Sequence, residues 1–129
     1  MIDRRRRATS ASPFESQIGF SRAVRVGRNI AVAATAAIWP DGRVVDDAGV
    51  QARRCLEIIG QALEELGASL DDVVRTRVFL VDAADGPIVG RVHGELLGSV
   101  RPATGFIVVG GFLDPHWRVE IEADAIVDD

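Results

Sequence analysis

Two contrasting patterns of hydrophobic and polar positions occupy the C-terminal part of the chain. Residues 104–109 are almost wholly apolar and lead into a Gly-Gly pair, which predicts a central β-strand buried on both faces. Residues 118–126 alternate instead, with Glu120, Glu122 and Asp124 on one side and small or branched apolar residues on the other. A turn sequence around Pro115 joins the two patterns. The second strand therefore presents a polar face with several carboxylates.

The rest of the chain predicts five further elements and one possible short strand. Apolar residues recur at three- to four-residue spacing after Asp46 and Asp47, either of which can cap a long helix that ends at Gly67. A second helix, interrupted by glycines, is predicted over residues 87–98. The predicted strands span residues 20–26, 30–35, 71–82 and, at most briefly, 43–45. The order β-β-(β)-α-β-α-β-β is typical of an α+β fold with two helices on one sheet face.

The length of 129 residues predicts one domain, which we place at residues 15–129. Residues 1–14 are predicted to be a disordered basic arm. Residues 1–12 carry four Arg and one Asp, a charge of +3, so a total of −4 leaves −7 on the remaining residues. The arm is either a solvated tail or a contact for phosphate or acidic surfaces. An acidic body with a short basic arm is not typical of a nucleic-acid binder, so no nucleic-acid partner is expected.

Several classes of protein and site are disfavoured by what the chain contains. No apolar run approaches about 18 residues and no signal-peptide pattern is present, so neither a membrane partner nor secretion is expected. The single Cys55 cannot form an internal disulfide, which suits a reducing cytoplasm. His93 and His116 have no cysteine or carboxylate at ligand spacing, so we expect no metal and no other cofactor.

A motif near the C-terminus carries a family resemblance. Residues 101–103 read Arg-Pro-Ala, an apolar strand follows, and residues 119–123 read Val-Glu-Ile-Glu-Ala. This order resembles the C-terminal signature of the Rid family, also called the YjgF family, and a looser match extends over residues 18–127. The resemblance implies hydrolysis of reactive enamines and imines. It also implies an α+β fold like that of trimeric chorismate mutase, with one mixed sheet of about six strands and two helices on one face. Members are homotrimers with clefts between adjacent subunits.

Glu120 is the candidate catalytic residue. It matches the glutamate that Rid deaminases are thought to use to position the attacking water, and a partly desolvated carboxylate can serve as a general base. The alternative is that Glu120 and Glu122 pair with Arg75, Arg77 or Arg118 on the polar face of the sheet.

Thr104 is the main departure from the family pattern. The resemblance implies an arginine at this position, whose guanidinium fork would hold a substrate carboxylate. A hydroxyl offers one neutral hydrogen bond, and losing a charged partner in a buried site costs on the order of 2–5 kcal/mol. Arg101 and Arg118 are the candidates to replace the missing cation.

Other substrate-binding positions implied by the resemblance are apolar here. Phe20 stands where the family has tyrosine, Ala33 where it has serine, Gly90 where it has asparagine, and Phe106 where it has cysteine. This pattern predicts a divergent subgroup that lacks the deaminase arginine.

Three further residues have open interpretations. His93, on the second predicted helix, either replaces a cleft donor or is a surface or structural histidine. Trp39 and Trp117 lie in predicted turns and form a cleft wall, a subunit contact or packing at the edge of the core.

These observations predict a Rid-family homotrimer whose inter-subunit clefts bind a small metabolite and which is not an efficient imine deaminase. The alternative is an enamine or imine deaminase that hydrolyses 2-iminopropanoate or 2-iminobutanoate. Whether the protein is an enzyme is left open; if it is, we expect a hydrolase or deaminase acting on imines or a related small substrate. Endoribonuclease activity is the third hypothesis, disfavoured by the acidic body and an aromatic content of 5%.

Overall fold

The fold is one six-stranded mixed sheet with two long helices packed on one face. The structure is a computed structural model that describes residues 4–10 and 12–128. Its strands are β1 (Arg6–Ala8), β2 (Ala23–Val26), β3 (Asn29–Ala36), β4 (Val73–Leu80), β5 (Ala103–Val108) and β6 (Val119–Ile126), and its helices are α1 (Phe14–Ile18), α2 (Ala48–Glu65) and α3 (Gly86–Leu97). The sheet order is β1-β2-β3-β6-β4-β5, and all neighbours are antiparallel except β4 and β5. This architecture confirms the predicted α+β fold.

Helix α2 forms where the sequence predicts it. The Asp47 side chain caps the helix by accepting a hydrogen bond from the Val50 N–H at 3.0 Å. Gly67, with φ +80°, follows the last turn, a conformation that favours glycine. The apolar face of α2, which includes Cys55 and Leu63, is buried against the sheet and α3. Helices α2 and α3 pack closely at Gly49, where a Cβ would lie 2.8 Å from Ile88 Cγ1.

Strand β6 lies in the middle of the sheet and shows the predicted alternation. Val119, Ile121, Ala123 and Ala125 are buried on the helix side, while Glu120, Glu122 and Asp124 are partly exposed on the other side. Because β3 and β4 flank β6, its backbone is paired on both sides and its position is held firmly.

The prediction that residues 104–109 form a central strand buried on both faces is wrong. These residues form most of β5, which lies at the sheet edge and pairs only with β4. Every residue of β5 is exposed within the subunit, including Ile107 at 42% and Val108 at 58%. An apolar run indicates that both faces avoid water, but it does not say whether the same chain supplies the cover.

The prediction of a disordered arm over residues 1–14 is wrong for β1. Arg6–Ala8 pairs antiparallel with β2, and Ala8 is 1% exposed in the core. Pairing with β1 satisfies backbone groups along the outer side of β2, which an arginine-rich composition does not reveal. The parts of this prediction on residues 1–3 and 11 lie outside the described residues. The possible short strand over residues 43–45 does not form.

Candidate functional site

A cleft of about 130 Å³ opens beside Glu120, on the sheet side opposite α2 and α3. It lies between β6, the segment that leads into β2, α1 and the loop before β6. The side chains that give it its chemical character are Phe14, Phe20, Arg22, Leu113, Trp117 and Glu120. Three of the residues singled out from the sequence, Phe20, Trp117 and Glu120, are therefore brought together in one cleft.

Strand register leaves Glu120 without an ion pair. Glu120 lies opposite Phe79 on β4, whereas Glu122 lies opposite Arg77 and accepts a hydrogen bond from its Nη1 at 2.9 Å. Within the described ranges, no hydrogen bond or ion pair engages the Glu120 carboxylate. Burial raises the pKa of Glu120, and the positive charge of Arg22 partly opposes that rise. Glu120 is therefore a carboxyl that can take up and release a proton within a cleft.

Arg22 supplies the positive charge of this cleft. Its side chain is buried, and its Nη1 donates to the Ala34 carbonyl at 2.8 Å and to Thr35 Oγ1 at 3.1 Å. The Nε donates to Ser10 Oγ at 3.1 Å, and Nη2 lies 3.8 Å from a Glu15 carboxylate oxygen. Burial lowers the pKa of Arg22, while the nearby carboxylates raise it. This hydrogen bonding fixes the guanidinium on the cleft wall.

The sequence interpretation did not include Arg22 among the site residues. The available signal was an arginine interrupting the apolar pattern of residues 20–26. An arginine within a strand that packs into a core is uncommon unless it has partners, so its position was informative.

Aromatic rings form one wall of the cleft. Phe14 and Trp117 pack edge to face, with ring centroids 6.0 Å apart and an interplanar angle of 81°. The Phe20 ring lies 5.4 Å from the Arg22 guanidinium carbon, in cation–π range. Trp39 lies elsewhere, packed at the edge of the core under Arg43. The two tryptophans thus have different environments, and only Trp117 lines the Glu120 cleft.

Four other predicted residues, Thr104, Phe106, Gly90 and His93, form a second group on β5 and α3. Thr76 Oγ1 lies 2.7 Å from Thr104 Oγ1 and 2.8 Å from His93 Nε2. The His93 ring packs edge to face with Phe106, with centroids 6.3 Å apart. Gly90 faces the Phe106 ring: a Cβ there would lie 3.9 Å from Phe106 Cζ, an ordinary contact. Burial lowers the pKa of His93, which favours the neutral imidazole.

Two predicted residues, Ala33 and Arg101, fall in neither group. Ala33 lies on β3, and its backbone N–H donates to the Arg22 backbone carbonyl. Its neighbour Ala34 lines the cleft. Arg101 has φ +53°, and its backbone N–H donates to the Leu97 carbonyl. Neither residue places a side chain beside Glu120 in this subunit.

Arg118 is engaged outside the cleft. Its Nη2 and Nε donate to the Asp85 carboxylate at 3.0 and 3.2 Å, and its Nη1 donates to Asp46 at 3.2 Å. Two carboxylates therefore hold this guanidinium away from Glu120.

No metal centre is formed by the described residues. No group of three or more His, Cys, Asp and Glu side chains lies close enough together there to hold an ion. His116 sits in the turn predicted for it, where its Nδ1 lies 2.9 Å from Asp114. Across the same described residues, the helices are all too short or too polar to cross a membrane.

The fold and the cleft define an α+β protein of the Rid type, and comparison with known proteins gives the family. The family model described as Endoribonuclease L-PSP matches residues 10–127, so the chain belongs to this family, which is the YjgF/RidA family. The resemblance inferred from the sequence is thereby confirmed.

Relatives and solved structures agree with this assignment. The Streptomyces coelicolor protein SCO2049 is 40% identical over 93% of this chain and 90% of its own length. The 3-aminoacrylate deaminase RutC of Acinetobacter baylyi is 39% identical over 64% of this chain and 65% of its own. The crystal structure of Rv2704 from Mycobacterium tuberculosis, a YjgF/YER057c/UK114 family member, superposes with a TM-score of 0.88 at 42% identity, covering 95% of this chain and 99% of that one.

Proposed function

We propose that this protein is a homotrimer whose inter-subunit clefts bind a small metabolite, and that it is not an efficient deaminase of α-imino acids. Glu120 is the group with acid–base capacity in the cleft, and Phe20, Trp117 and Arg22 form its walls. Thr104, Phe106, Gly90 and His93 complete the cleft from an adjacent subunit. We further propose a cytoplasmic location, because the lone Cys55 is buried and reduced.

The observation that carries the proposal is the exposed apolar edge strand β5. A long edge strand with exposed Phe106, Ile107 and Val108 is a site of association unless another chain covers it. If a neighbouring subunit covers β5, it also contacts Thr104, which lies on the same strand. The group formed by Thr104, Phe106, Gly90 and His93 would then face that subunit. Two half-sites would then meet at each interface.

The low deaminase activity is proposed from the chemistry at Thr104. Its hydroxyl contacts Thr76 Oγ1 and the Pro102 carbonyl, and neither group is charged. Arg118 is bound to Asp85 and Asp46, so it does not replace the missing guanidinium in the same subunit. A substrate carboxylate would lose hydration at Thr104 without gaining an ionic partner.

Light scattering after size-exclusion chromatography tests the assembly. We expect a mass of about three times the chain mass of 13.8 kDa. Ile107→Glu places a charge on the exposed edge and should dissociate the trimer, whereas Val44→Glu, at a position 58% exposed outside the strands, should leave it intact. A monomeric wild type, or equal behaviour of the two variants, contradicts the proposed assembly.

Imine hydrolysis tests the chemistry. With 2-iminopropanoate and 2-iminobutanoate generated in situ, water attack releases ammonia and the 2-keto acid. We expect wild type to remain close to the uncatalysed rate and Thr104→Arg to gain activity that a further Glu120→Ala substitution removes. Fast hydrolysis by wild type that Glu120→Ala abolishes would contradict the proposal.

That contradictory result would favour the second candidate, an enamine or imine deaminase. The observation in its favour is the unpaired Glu120 carboxyl, whose pKa burial raises, beside the fixed guanidinium of Arg22. The likeness to 3-aminoacrylate deaminase RutC points in the same direction. Endoribonuclease activity, named in the family description, is the third candidate, and the net charge of −4 disfavours it.

A further inference from the structure

Three hydroxyl and imidazole groups form a hydrogen-bonded chain that ends at the exposed edge of the sheet. It runs from His93 Nε2 to Thr76 Oγ1 at 2.8 Å, then to Thr104 Oγ1 at 2.7 Å, and from there to the Pro102 carbonyl at 3.1 Å. Thr76 is 1% exposed, His93 is half-buried and Thr104 is exposed. A buried anchor therefore holds a hydroxyl group that is accessible from outside.

Counting protons gives this chain one direction. The Pro102 carbonyl can only accept, and each threonine hydroxyl has one proton to donate. All three contacts are satisfied together only if Thr104 donates to Pro102, Thr76 donates to Thr104, and His93 donates its Nε2 proton to Thr76. The neutral imidazole is therefore the Nε2-protonated tautomer, and burial of the ring favours the neutral state.

A ligand can join these hydrogen bonds if the Thr104 hydroxyl group rotates. The Thr104–Pro102 contact is local and exposed, so the Thr104 hydroxyl can turn to donate to a ligand carbonyl oxygen while Thr76 continues to donate to Thr104. Thr104 keeps a lone pair that can accept from a ligand N–H. An uncharged carbonyl or carboxamide group matches both capacities.

A carboxylate does not match the same position. Among the described residues, the guanidinium groups of Arg75 and Arg77 lie on the opposite sheet face, where they pair with Asp124 and Glu122. Thr104, Thr76 and His93 offer a bound carboxylate only neutral donors, whereas charged partners make the stronger hydrogen bonds to carboxylates. The Arg22 guanidinium, proposed to line the same cleft from the adjacent subunit, is already bonded to Ala34, Thr35, Ser10 and Glu15.

We infer that the His93–Thr76–Thr104 chain makes this half of the cleft specific for small neutral carbonyl compounds, such as carboxamides, rather than for α-keto or α-imino carboxylates. Thr104 is the contacting residue, and Thr76 and His93 are positioning residues that act through it. This inference rests on the proposed function, because it assigns a ligand class to the proposed inter-subunit cleft.

Two probes of nearly equal size, 2-oxobutanamide and 2-oxobutanoate, separate the ligand classes. In NMR titrations of the full chain we expect the amide to bind about three- to tenfold more tightly than the acid, the factor that one neutral hydrogen bond supplies. The Thr104 methyl and the His93 ring nitrogens should shift with it. Thr104→Arg should reverse the preference.

Conservative variants test the positioning roles. Thr76→Val should weaken amide binding about three- to tenfold and change the His93 tautomer signature in the nitrogen-15 spectrum, whereas Thr76→Ser should restore both. Thr9→Val, at an exposed position outside the chain of hydrogen bonds, is the matched control and should change neither.

Three results would overturn the inference. The first is that wild type binds the acid at least as tightly as the amide. The second is that His93 of the ligand-free wild type is charged or Nδ1-protonated at neutral pH. The third is a Thr76→Val effect no larger than that of Thr9→Val. If Trp117 responds to a probe while Thr104 and His93 do not, only this inference fails. If neither probe perturbs Trp117, Thr104 or His93 in wild type or in Thr104→Arg, the metabolite cleft itself is wrong.

Discussion

Glu120 and Glu122 lie two residues apart on the same face of β6, yet their surroundings differ completely. At the open end of this face, Glu122 pairs with Arg77, and both side chains keep contact with water. At the covered end, Glu120 faces Phe79 across the strand pair and lies under Phe14, Trp117 and the residues around them. The same residue type is therefore a surface ion-pair partner in one place and a partly desolvated, unpaired acid in the other.

This difference shows how cover and register convert an ordinary polar strand face into a site. Register decides which carboxylate meets an arginine, because antiparallel neighbours pair one to one. The cover, built by α1 and the loop before β6, partly shields the unpaired carboxylate from water and raises its pKa. A carboxylate is present at both ends of this face, but only the Glu120 carboxylate is partly buried without a direct partner.

The strongest way to break the covered end is to remove its buried cation. Arg22→Met should lower the free energy of unfolding by about 3–5 kcal/mol. It leaves the buried Glu15 carboxylate with only the neutral donors of Ser10 and removes the Arg22 donor from the Ala34 carbonyl. Urea unfolding at fixed protein concentration measures the loss.

Two companion variants separate this effect from the loss of a positive charge in general. Arg28→Met removes an exposed arginine from the β2–β3 turn and should change stability by no more than about 0.5 kcal/mol. Adding Glu15→Gln to Arg22→Met should recover part of the loss, because a neutral amide replaces the unpaired charge. Equal losses for Arg22→Met and Arg28→Met would contradict a buried structural cation.

A smaller effect should appear in the pH dependence of Glu120. Burial raises its pKa in the folded state, so its contribution to stability is fully present below the unfolded value of about 4.3 and is lost as pH rises through the folded pKa. The free energy of unfolding of wild type minus that of Glu120→Gln should therefore fall as the pH rises from about 4 through the raised folded pKa. Denaturant titrations at several pH values test the sign, with Glu64→Gln as the exposed control. A difference that rises with pH would show that Glu120 is stabilised as an anion.

The smallest effect belongs to the open end. A double-mutant cycle with Arg77→Met and Glu122→Gln should give a coupling energy of about 0.2–1 kcal/mol, because the two side chains are 40% and 29% exposed. Added salt should reduce it further. A coupling above about 2 kcal/mol would place this pair in the same class as the buried Arg22 cluster and remove the contrast between the two ends.

Periodicity in the sequence was sufficient for the elements whose cover comes from the same chain. Helix α2 was predicted from its apolar stripe between Asp47 and Gly67, and the alternation of β6 was read directly from residues 118–126. The order of elements then led to the α+β fold. Each of these elements buries one face, so its apolar residues recur at a regular spacing along the sequence.

The misplaced strands have physical causes that periodicity does not carry. β5 has the composition of a central strand but lies at an edge, because an apolar run looks the same whether its cover is internal or another chain. β1 is only three residues long and contains two arginines, so its strand character comes from the edge of β2 that it joins. The pattern of apolar residues within a segment encodes helix–sheet packing. Which strand lies at a sheet edge depends instead on which other strands are left with an unpaired side.

The candidate site divides in the same way between chain and fold. The family motif picked out Glu120 and Thr104, and a side-chain pKa near neutrality drew attention to His93. Chemistry alone indicated that a hydroxyl would not replace a guanidinium. Only the folded chain brought Arg22 beside Glu120 and placed buried Thr76 between Thr104 and His93. Along the chain, Thr76 is 17 residues from His93 and 28 residues from Thr104. Strand pairing and helix packing, rather than local sequence, therefore set the distances between these side chains and the protonation of His93.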